Sequence, residues 1–368
     1  MKHSRGIVFT ILSLGILAIA GAIIAGAFIA GVNQLRKDFS PLDASLPPDV
    51  KEFPGPIVQQ GDYKLSGPYT HDNLTVFLVH GPDRIEGKNY LTLQEALEQH
   101  AAIVHETGNV NELSVENLSS DVDVYIQSGD IVKGGKQDRV LHYDLVLSPR
   151  SGRVPLASFC VESGRWQARE GEGVLCFVSS DSYLPDKDLK LAAKYEQNQQ
   201  KVWSKVAATR ARLKESVGRD IPTASESSLQ LTLDSAEVQE SVEPYLKKLS
   251  AVAEDKDDVI GFAYAINGKI NSAEVYSSHA LFGKLWPKLL KASAVEALAE
   301  QKTDVEVSPV SADAVRAFLA DAERGKAFLH TVSERTQQVM QETDKNLLFE
   351  TRDQQRDGTW MHRSYLTK

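Results

Sequence analysis

The feature that most restricts the fold of this chain is an apolar run near the N-terminus, from Ile7 to Val32, that contains no charged residue. At about 1.5 Å per residue, a helix of this length would cross a hydrocarbon layer of about 30 Å. Basic residues flank the run, with Lys2 and Arg5 before it and Arg36 after it. The run therefore predicts a transmembrane helix within residues 1–34 that acts as a signal anchor.

A cleaved signal peptide is the alternative, because the triplet Ala18-Ile19-Ala20 resembles a cleavage site. The run continues well past this triplet, which favours an uncleaved, single-pass membrane anchor. We then expect the body outside the cytoplasm, in the bacterial periplasm or at the cell surface, since a long C-terminal domain can be translocated whatever its charge. Small residues at Ala22, Gly26 and Ala30 would let two such helices form a homodimer, although small residues are also simply frequent in membrane helices.

Behind the anchor, a proline-rich tether is expected over residues 35–56 and a folded body over residues 57–300. The body opens with closely spaced β-type runs, such as Val122–Gln127, in which apolar and polar residues alternate. Helical patterns return after about residue 185, and residues 301–368 read as a C-terminal α/β extension. The predicted fold class is α+β: an N-terminal transmembrane helix followed by a β-rich sandwich or barrel-like core with flanking helices.

Three local signals predict where individual elements begin or turn. Thr92, with Glu95 three residues later, predicts a capping box at the start of a short helix. The dipeptide Asn267-Gly268 predicts a type I′ turn between two strands, because both of its positions need positive φ. Ser278 predicts the N-cap of the helix that follows the second of those strands.

Composition excludes several classes of function. The net charge is −9 and no basic stripe occurs, so nucleic acid is not an expected partner. Two cysteines are too few for a disulfide-rich scaffold or a four-thiolate zinc site. The nine histidines are scattered without ligand spacing, and there is no glycine fingerprint for a dinucleotide. We therefore expect neither a metal nor a cofactor.

The densest polar segment links two predicted strands and combines paired glycines with cations and a carboxylate. Glycines permit a tight turn and a close approach to the backbone, and amides beside cations suit an anionic group. A charged hairpin tip is the alternative interpretation. The candidate ligand-binding residues in this segment are Gly134, Gly135, Lys136, Gln137 and Arg139, and the candidate general base is Asp138.

A second segment places a thiol, a carboxylate, a guanidinium and an indole close together, at Cys160, Glu162, Arg165 and Trp166. Cys160 is a candidate nucleophile and Glu162 a candidate general base, with Arg165 and Trp166 as ligand-binding residues. A buried cysteine beside a structural Glu–Arg pair is the alternative. A disulfide between Cys160 and Cys176 is a further alternative, provided that the two lie on neighbouring strands.

In a third segment, Glu274 and Tyr276 are two residues apart on a predicted strand and so share one face, which could point into a site. Trp286 follows on a predicted helix and is expected in the core.

These segments resemble one protein family, the ARG and rhodanese-phosphatase-superfamily-associated protein domain, in which ARG stands for ADP-ribosylglycohydrolase. The resemblance spans about residues 60 to 300. The family name records a genomic association, which implies a link to ADP-ribose or related nucleotide chemistry. The residues that carry the resemblance are Gly134-Gly135-Lys136-Gln137-Asp138-Arg139, Phe159-Cys160-Val161-Glu162 with Gly164-Arg165-Trp166, and Leu281-Phe282 with Trp286 and Lys288-Leu289-Leu290.

Three functions are consistent with this sequence. The first is a membrane-anchored module that binds a small anionic or nucleotide-like ligand, with Lys136 and Arg139 on the anion and Trp166 stacked on a ring. The second is a hydrolase or transferase that acts on such a ligand through Glu162, Asp138 or Cys160. The third is a cell-envelope interaction protein without a small ligand.

Overall fold

The computed structural model describes residues 51–52, 63–85, 87–302 and 308–368. The predicted anchor and its homodimer face lie outside the described residues, as does most of the predicted tether. Of the tether, only Lys51–Glu52 is described, and this pair forms a short strand.

The strands of the described residues are numbered here in chain order. They are β1 (Lys51–Glu52), β2 (Lys64–His71), β3 (Leu74–His80), β4 (Tyr90–Thr92), β5 (Ala102–Asn109), β6 (Glu112–Asn117), β7 (Asp123–Ile126), β8 (Ile131–Gly134), β9 (Arg139–Leu141), β10 (Leu145–Leu147), β11 (Arg153–Cys160), β12 (Cys176–Val178), β13 (Val259–Ile266), β14 (Lys269–Tyr276), β15 (Lys326–Thr331), β16 (Thr336–Glu342), β17 (Asn346–Asp353) and β18 (Thr359–Thr367).

The helices of the described residues are numbered in the same way. They are α1 (Leu93–Glu98), α2 (Lys187–Lys190), which continues into a π-helical turn (Leu191–Tyr195), α3 (Gln199–Val217), α4 (Leu229–Leu233), α5 (Ala236–Leu249), α6 (His279–Ala299) and α7 (Ala312–Ala322), with two 3₁₀ turns at Ser250–Ala253 and Gln354–Arg356.

The strands form three assemblies. The largest is a nine-stranded antiparallel sheet in the order β1-β15-β16-β17-β18-β14-β13-β3-β2. A closed six-stranded barrel follows the order β11-β6-β5-β12-β8-β9, and a small three-stranded sheet has the order β10-β7-β4. The C-terminal strands β15 to β18 belong to the same sheet as β13 and β14, so residues from the predicted extension help to build the sheet of the body.

The buried apolar side chains of the described residues form several clusters, and the small sheet shares the clusters of its two neighbours. One face of the large sheet packs against α5 and α6, where Phe262 lies 5.2 Å from Trp286 between ring centroids. The opposite face packs against α7 through residues such as Phe318 and Tyr365. The barrel encloses a separate cluster that includes Phe177. Trp286 is buried, which confirms its predicted core position.

The predicted fold class is wrong in two respects. The strands do not form one sandwich or barrel-like core, because an open nine-stranded sheet lies beside a closed barrel and a third small sheet. Alternating patterns identify strands but do not specify which distant strand becomes the partner. In addition, no helix in the described part of the chain is both long and apolar enough to cross a bilayer. Even α6 carries Lys284, Lys288, Lys291 and Glu296.

The description of the chain as a single-pass membrane protein with a signal anchor is corrected accordingly. None of the described helices supports it, and the run from Ile7 to Val32 on which it depended lies outside the described residues.

The local signals, in contrast, are confirmed. Thr92 accepts a hydrogen bond from the backbone of Glu95, and the Glu95 side chain accepts one from the backbone of Thr92. Asn267 and Gly268 have φ values of 50° and 72° and join β13 to β14. Ser278 caps α6 by accepting a hydrogen bond from the backbone of Leu281.

Candidate ligand-binding site on the barrel

The two polar segments that the sequence singles out meet on neighbouring strands of the barrel. Arg139, at the start of β9, is paired with Cys160, at the end of β11. The Gln137 side chain donates a hydrogen bond of 2.9 Å to the backbone carbonyl of Glu162. Strand pairing therefore places both segments in one group of charged side chains, which we call the arginine–carboxylate cluster. Its members are Glu106, Lys136, Asp138, Arg139, Glu162, Arg165, Arg169 and Glu172.

Asp138 is fully buried within this cluster. It accepts hydrogen bonds from the Gly134 amide at 3.1 Å, from the Ser228 hydroxyl at 3.2 Å and from the Arg169 guanidinium. Burial raises the pKa of Asp138 above its ordinary value, although the charge of Arg169 opposes the shift. This carboxyl group therefore holds its proton more readily than a carboxyl group in water.

Glu162 is also fully buried, but its pKa moves the other way. Burial alone would raise the pKa, yet the hydrogen bond from Arg165 and the charges of Arg165 and Arg169 outweigh it and lower the pKa. The Oε2 atom lies 2.7 Å from Nε of Arg165 and 3.2 Å from Arg169. The Oε1 atom is buried and has no hydrogen-bond partner among the described residues.

Arg139 is the largest fully buried side chain of the described structure. One guanidinium nitrogen donates a hydrogen bond of 2.9 Å to the carbonyl of Gln137, and another lies 3.7 Å from Glu106. Its Nε and Nη2 atoms have no hydrogen-bond partner in the described part of the chain. A buried donor without an acceptor costs about 1–3 kcal/mol, and more when it is charged, so this guanidinium has unused capacity to bind an acceptor.

Trp166 covers this guanidinium from the solvent side. The ring centroid lies 5.8 Å from Cζ of Arg139 and 4.9 Å from Nζ of Lys136, and 44% of the residue is exposed. The indole is carried by a segment without helix or strand, between Gly164 and Gly171. Both glycines have positive φ, at 80° and 82°, with open space around them. The exposed part of the ring can therefore contact a ligand.

The glycine turn does not offer free backbone amides. The amide of Gly134 donates to Asp138, that of Gly135 to the carbonyl of Gly173, and that of Lys136 to Glu106. The group that approaches Gly135 closely is Phe177, whose ring would lie 2.4 Å from an added Cβ atom. The donors available to a ligand at this turn are therefore guanidinium nitrogens.

Cys160 is buried and unoxidised, and Cys176 is exposed and unoxidised. The disulfide alternative is wrong, because β11 and β12 are not paired with each other: Cys160 faces Arg139 and Cys176 faces His105. Burial raises the pKa of Cys160 to about 11. The thiol is therefore protonated at neutral pH.

His142, the histidine closest to Cys160 in sequence, is not placed as its base. Its ring packs on Phe159, with centroids 5.2 Å apart. Burial lowers the pKa of His142 to about 3. The Cys160 thiol donates to the backbone carbonyl of Val110 at 3.8 Å, and among the described residues no contact joins it to a histidine as in a cysteine–histidine pair.

Sequence reasoning missed Arg169 and Glu106. Arg169 contacts both Asp138 and Glu162 and joins the two segments. The available signal was its position four residues after Arg165 in the same glycine-flanked loop. Glu106 lies on β5, far away in sequence, and nothing local connects it to Arg139.

Glu274 and Tyr276 do share one face of β14, as predicted. Both contact His362, which donates a 2.9 Å hydrogen bond from Nε2 to the Glu274 carboxylate and stacks on the Tyr276 ring. All three are buried, so they form part of the interior and not an open cleft.

Two cavities in the described structure lie away from the cluster. Both are shallow and have almost no room for a water molecule; one is lined by Asp130, Lys288 and Ser180, and the other by Tyr183, Lys291 and Val295. Within the described ranges, no three histidine, cysteine or acidic side chains are arranged to hold a metal ion.

Comparison with known proteins identifies the family. No curated protein and no solved structure matches the chain. The family model of the ARG and Rhodanese-Phosphatase-superfamily-associated Protein domain matches residues 62–366. The match contains the whole arginine–carboxylate cluster and extends past residue 300 to the end of β18. The chain thus belongs to the family of ARG and Rhodanese-Phosphatase-superfamily-associated Protein domains.

Proposed function

We propose that the arginine–carboxylate cluster and Trp166 bind a small anionic, nucleotide-like ligand. The observation that carries this proposal is the Arg139 guanidinium, which is fully buried with two nitrogen atoms lacking an acceptor. A guanidinium presents parallel N–H donors that match the oxygens of a phosphate or carboxylate group. Such an acceptor would complete the hydrogen bonds of Arg139.

Trp166 supports the proposal that the ligand carries a planar ring, as a nucleotide does. Its indole is half-exposed and already packs on the cations of Lys136 and Arg139. A planar base can stack on such a ring, and stacking of this kind contributes about 1–3 kcal/mol per base. Because Arg139 is fully buried, a ligand can reach it only if a side chain packed on it moves, and Trp166 is one such side chain.

Isothermal titration of the full-length chain with ADP-ribose and with ADP tests the proposal. We expect Arg139→Met to weaken binding by roughly tenfold to a hundredfold, the usual contribution of a hydrogen bond to a charged group. Arg153→Met is the matched control, because Arg153 is exposed at the opposite end of β11. Equal affinity of Arg139→Met and the unmodified chain would refute the site.

A fluorescence titration tests the role of the indole. Ligand binding is expected to change the tryptophan emission, and Trp166→Phe should remove most of the change. The chain has four tryptophans, so Trp286→Phe, deep in the core, controls for indirect effects. An unchanged signal in Trp166→Phe would exclude stacking at this position.

A hydrolase that acts on the same ligand is the second candidate. Asp138 and Glu162 both contact the same nitrogen of Arg169, while their pKa values are shifted in opposite directions. Carboxyl groups whose pKa values are driven apart are typical of an acid–base pair. Chromatography of ADP-ribose after incubation over a range of pH tests this candidate. Turnover that survives both Asp138→Asn and Glu162→Gln would exclude the pair.

A further inference from the structure

The buried polar atoms without partners at this site include an acceptor as well as donors. Arg139 and Arg169 have unpartnered donor nitrogens, whereas Glu162 and Glu172 have unpartnered carboxylate oxygens, Oε1 and Oε2 respectively. Glu162 is the more deeply buried of the two, with a side-chain exposure of 0% against 21% for Glu172. All the Glu162 hydrogen bonds from the arginines go to Oε2. A fully deprotonated phosphate or carboxylate group carries only acceptors and would leave Oε1 unsatisfied. A ligand with hydroxyl groups would supply the missing donor.

The charge balance of the cluster points in the same direction. Four cations, Lys136, Arg139, Arg165 and Arg169, stand with four carboxylates, Glu106, Asp138, Glu162 and Glu172. At formal charges the sum is zero. A site that selects inorganic phosphate by charge alone needs an excess of cations. A site whose formal charges sum to zero must recognise its ligand through hydrogen bonds, some donated by the protein and some accepted by it.

We infer that the ligand is a sugar phosphate, in which the phosphate accepts from Arg139 and a sugar hydroxyl donates to Oε1 of Glu162. The inference rests on the proposed function. It narrows the ligand class to phosphate esters that carry a hydroxyl group able to reach Glu162. Glu162 is then the residue that distinguishes a sugar phosphate from other phosphate monoesters.

The first experiment varies the ligand and leaves the protein unchanged. Ribose 5-phosphate and butyl phosphate carry the same phosphate monoester, but only the former has hydroxyl groups. We expect isothermal titration to give ribose 5-phosphate about tenfold tighter binding or more, as one hydrogen bond to a charged acceptor provides. Equal affinity for the two overturns this inference and leaves the anion site intact. Absence of binding by both, and by ADP-ribose, overturns the proposed function as well.

The second experiment uses Glu162→Gln. The substitution removes one negative charge, so butyl phosphate should bind more tightly than to the unmodified chain. It also weakens the acceptor, so the preference for ribose 5-phosphate over butyl phosphate should fall toward one. Glu116→Gln, which changes the same charge outside the cluster on β6, should alter neither quantity. If Glu162→Gln keeps the preference for ribose 5-phosphate, Glu162 is not the acceptor of the sugar hydroxyl. Should Glu162→Gln fail to fold, the comparison of ribose 5-phosphate with butyl phosphate on the unmodified chain still tests whether the ligand is a sugar phosphate.

Discussion

His362, on β18, lies between two buried carboxylates. Nδ1 is 2.7 Å from Asp144 and Nε2 is 2.9 Å from Glu274, and the ring stacks on Tyr276 with centroids 4.4 Å apart. Burial alone would lower the pKa of His362, but the charge of Asp144 and the hydrogen bonds that the imidazole donates to both carboxylates raise the pKa to about 8. The same contacts lower the pKa of Asp144 and of Glu274. The imidazole is therefore a cation near neutral pH.

This arrangement predicts a pH dependence of stability. The pKa of His362 is about 8 in the folded chain and about 6.5 in the unfolded chain, so its contribution is complete below pH 6.5 and is lost as pH rises through 8. We expect the free energy of unfolding to fall by roughly 2 kcal/mol between pH 6 and pH 9 from this residue. Urea denaturation at several pH values measures it.

The matched controls for this prediction are two histidine variants. His362→Gln should be less stable at pH 6 and should lose the alkaline slope. His80→Gln should keep the slope, because His80 pairs with Asp258 at the surface, where Asp258 is 65% exposed. An identical slope in His362→Gln and the unmodified chain would contradict the assignment.

The two cysteines are predicted to differ in reactivity. Only a thiolate reacts with a disulfide reagent, and burial raises the pKa of Cys160 to about 11. Cys176 is exposed. We expect one thiol to react rapidly with Ellman's reagent at pH 7.5 and the second to react only after unfolding. Cys176→Ser should remove the rapid phase, and a rapid phase that remains would show that Cys160 is accessible.

At the scale of elements, the start of α1 illustrates how local chemistry is tied to packing. The Thr92–Glu95 capping box holds the first turn. Lys284 of α6 lies 3.0 Å from Glu95 and donates 2.7 Å to the carbonyl of Tyr90. The cap therefore also connects β4 and α1 to the long helix α6.

Removal of this cap should cost more than helix stability alone. We expect Thr92→Ala to lower the free energy of unfolding by about 1–2 kcal/mol, the upper part of the range for N-caps, because Thr92 is buried. Chemical denaturation measures the change. Ser311→Ala, the cap of α7, is the comparison, since no capping box accompanies that residue. A larger loss in Ser311→Ala would indicate that the link through Glu95 adds nothing.

At the scale of the molecule, one arginine joins the small sheet to the large one. Arg335 pairs with Asp123 of β7 through two 2.9 Å hydrogen bonds and with Asp353 of β17 at 2.9 and 2.7 Å. All three side chains are at least nine-tenths buried. Arg335 thus lies where the two sheets meet and pairs with a carboxylate from each, and Lys88 adds a second cation beside Asp123.

Loss of this arginine should weaken the whole fold. Removal of one partner leaves buried charge without compensation, so we expect Arg335→Met to cost about 3–5 kcal/mol. Arg316→Met is the control, because Arg316 pairs with the exposed Asp313 and such pairs contribute about 0–1 kcal/mol. Urea unfolding compares the two variants. Similar losses in both would show that the buried pairs do not stabilise the junction.

Signals between near neighbours were sufficient for several elements of this protein. The turn at Asn267-Gly268 and the helix starts at Thr92 and Ser278 depend on backbone angles and hydrogen bonds within a few residues. The three sequence blocks were likewise sufficient to predict the family, which the match over residues 62–366 confirms. These properties depend on residue type and spacing alone.

The strand partners and the composition of the candidate site were decided by the tertiary structure. β18 lies between β17 and β14. Arg139 meets Cys160 and Glu106, and Arg169 meets Asp138, across strands and loops that no local pattern connects. Pairing of distant strands depends on which arrangement closes the barrel and buries its core as a whole. The free energy of such an arrangement depends on residues from the entire chain, so a short stretch of sequence cannot specify it.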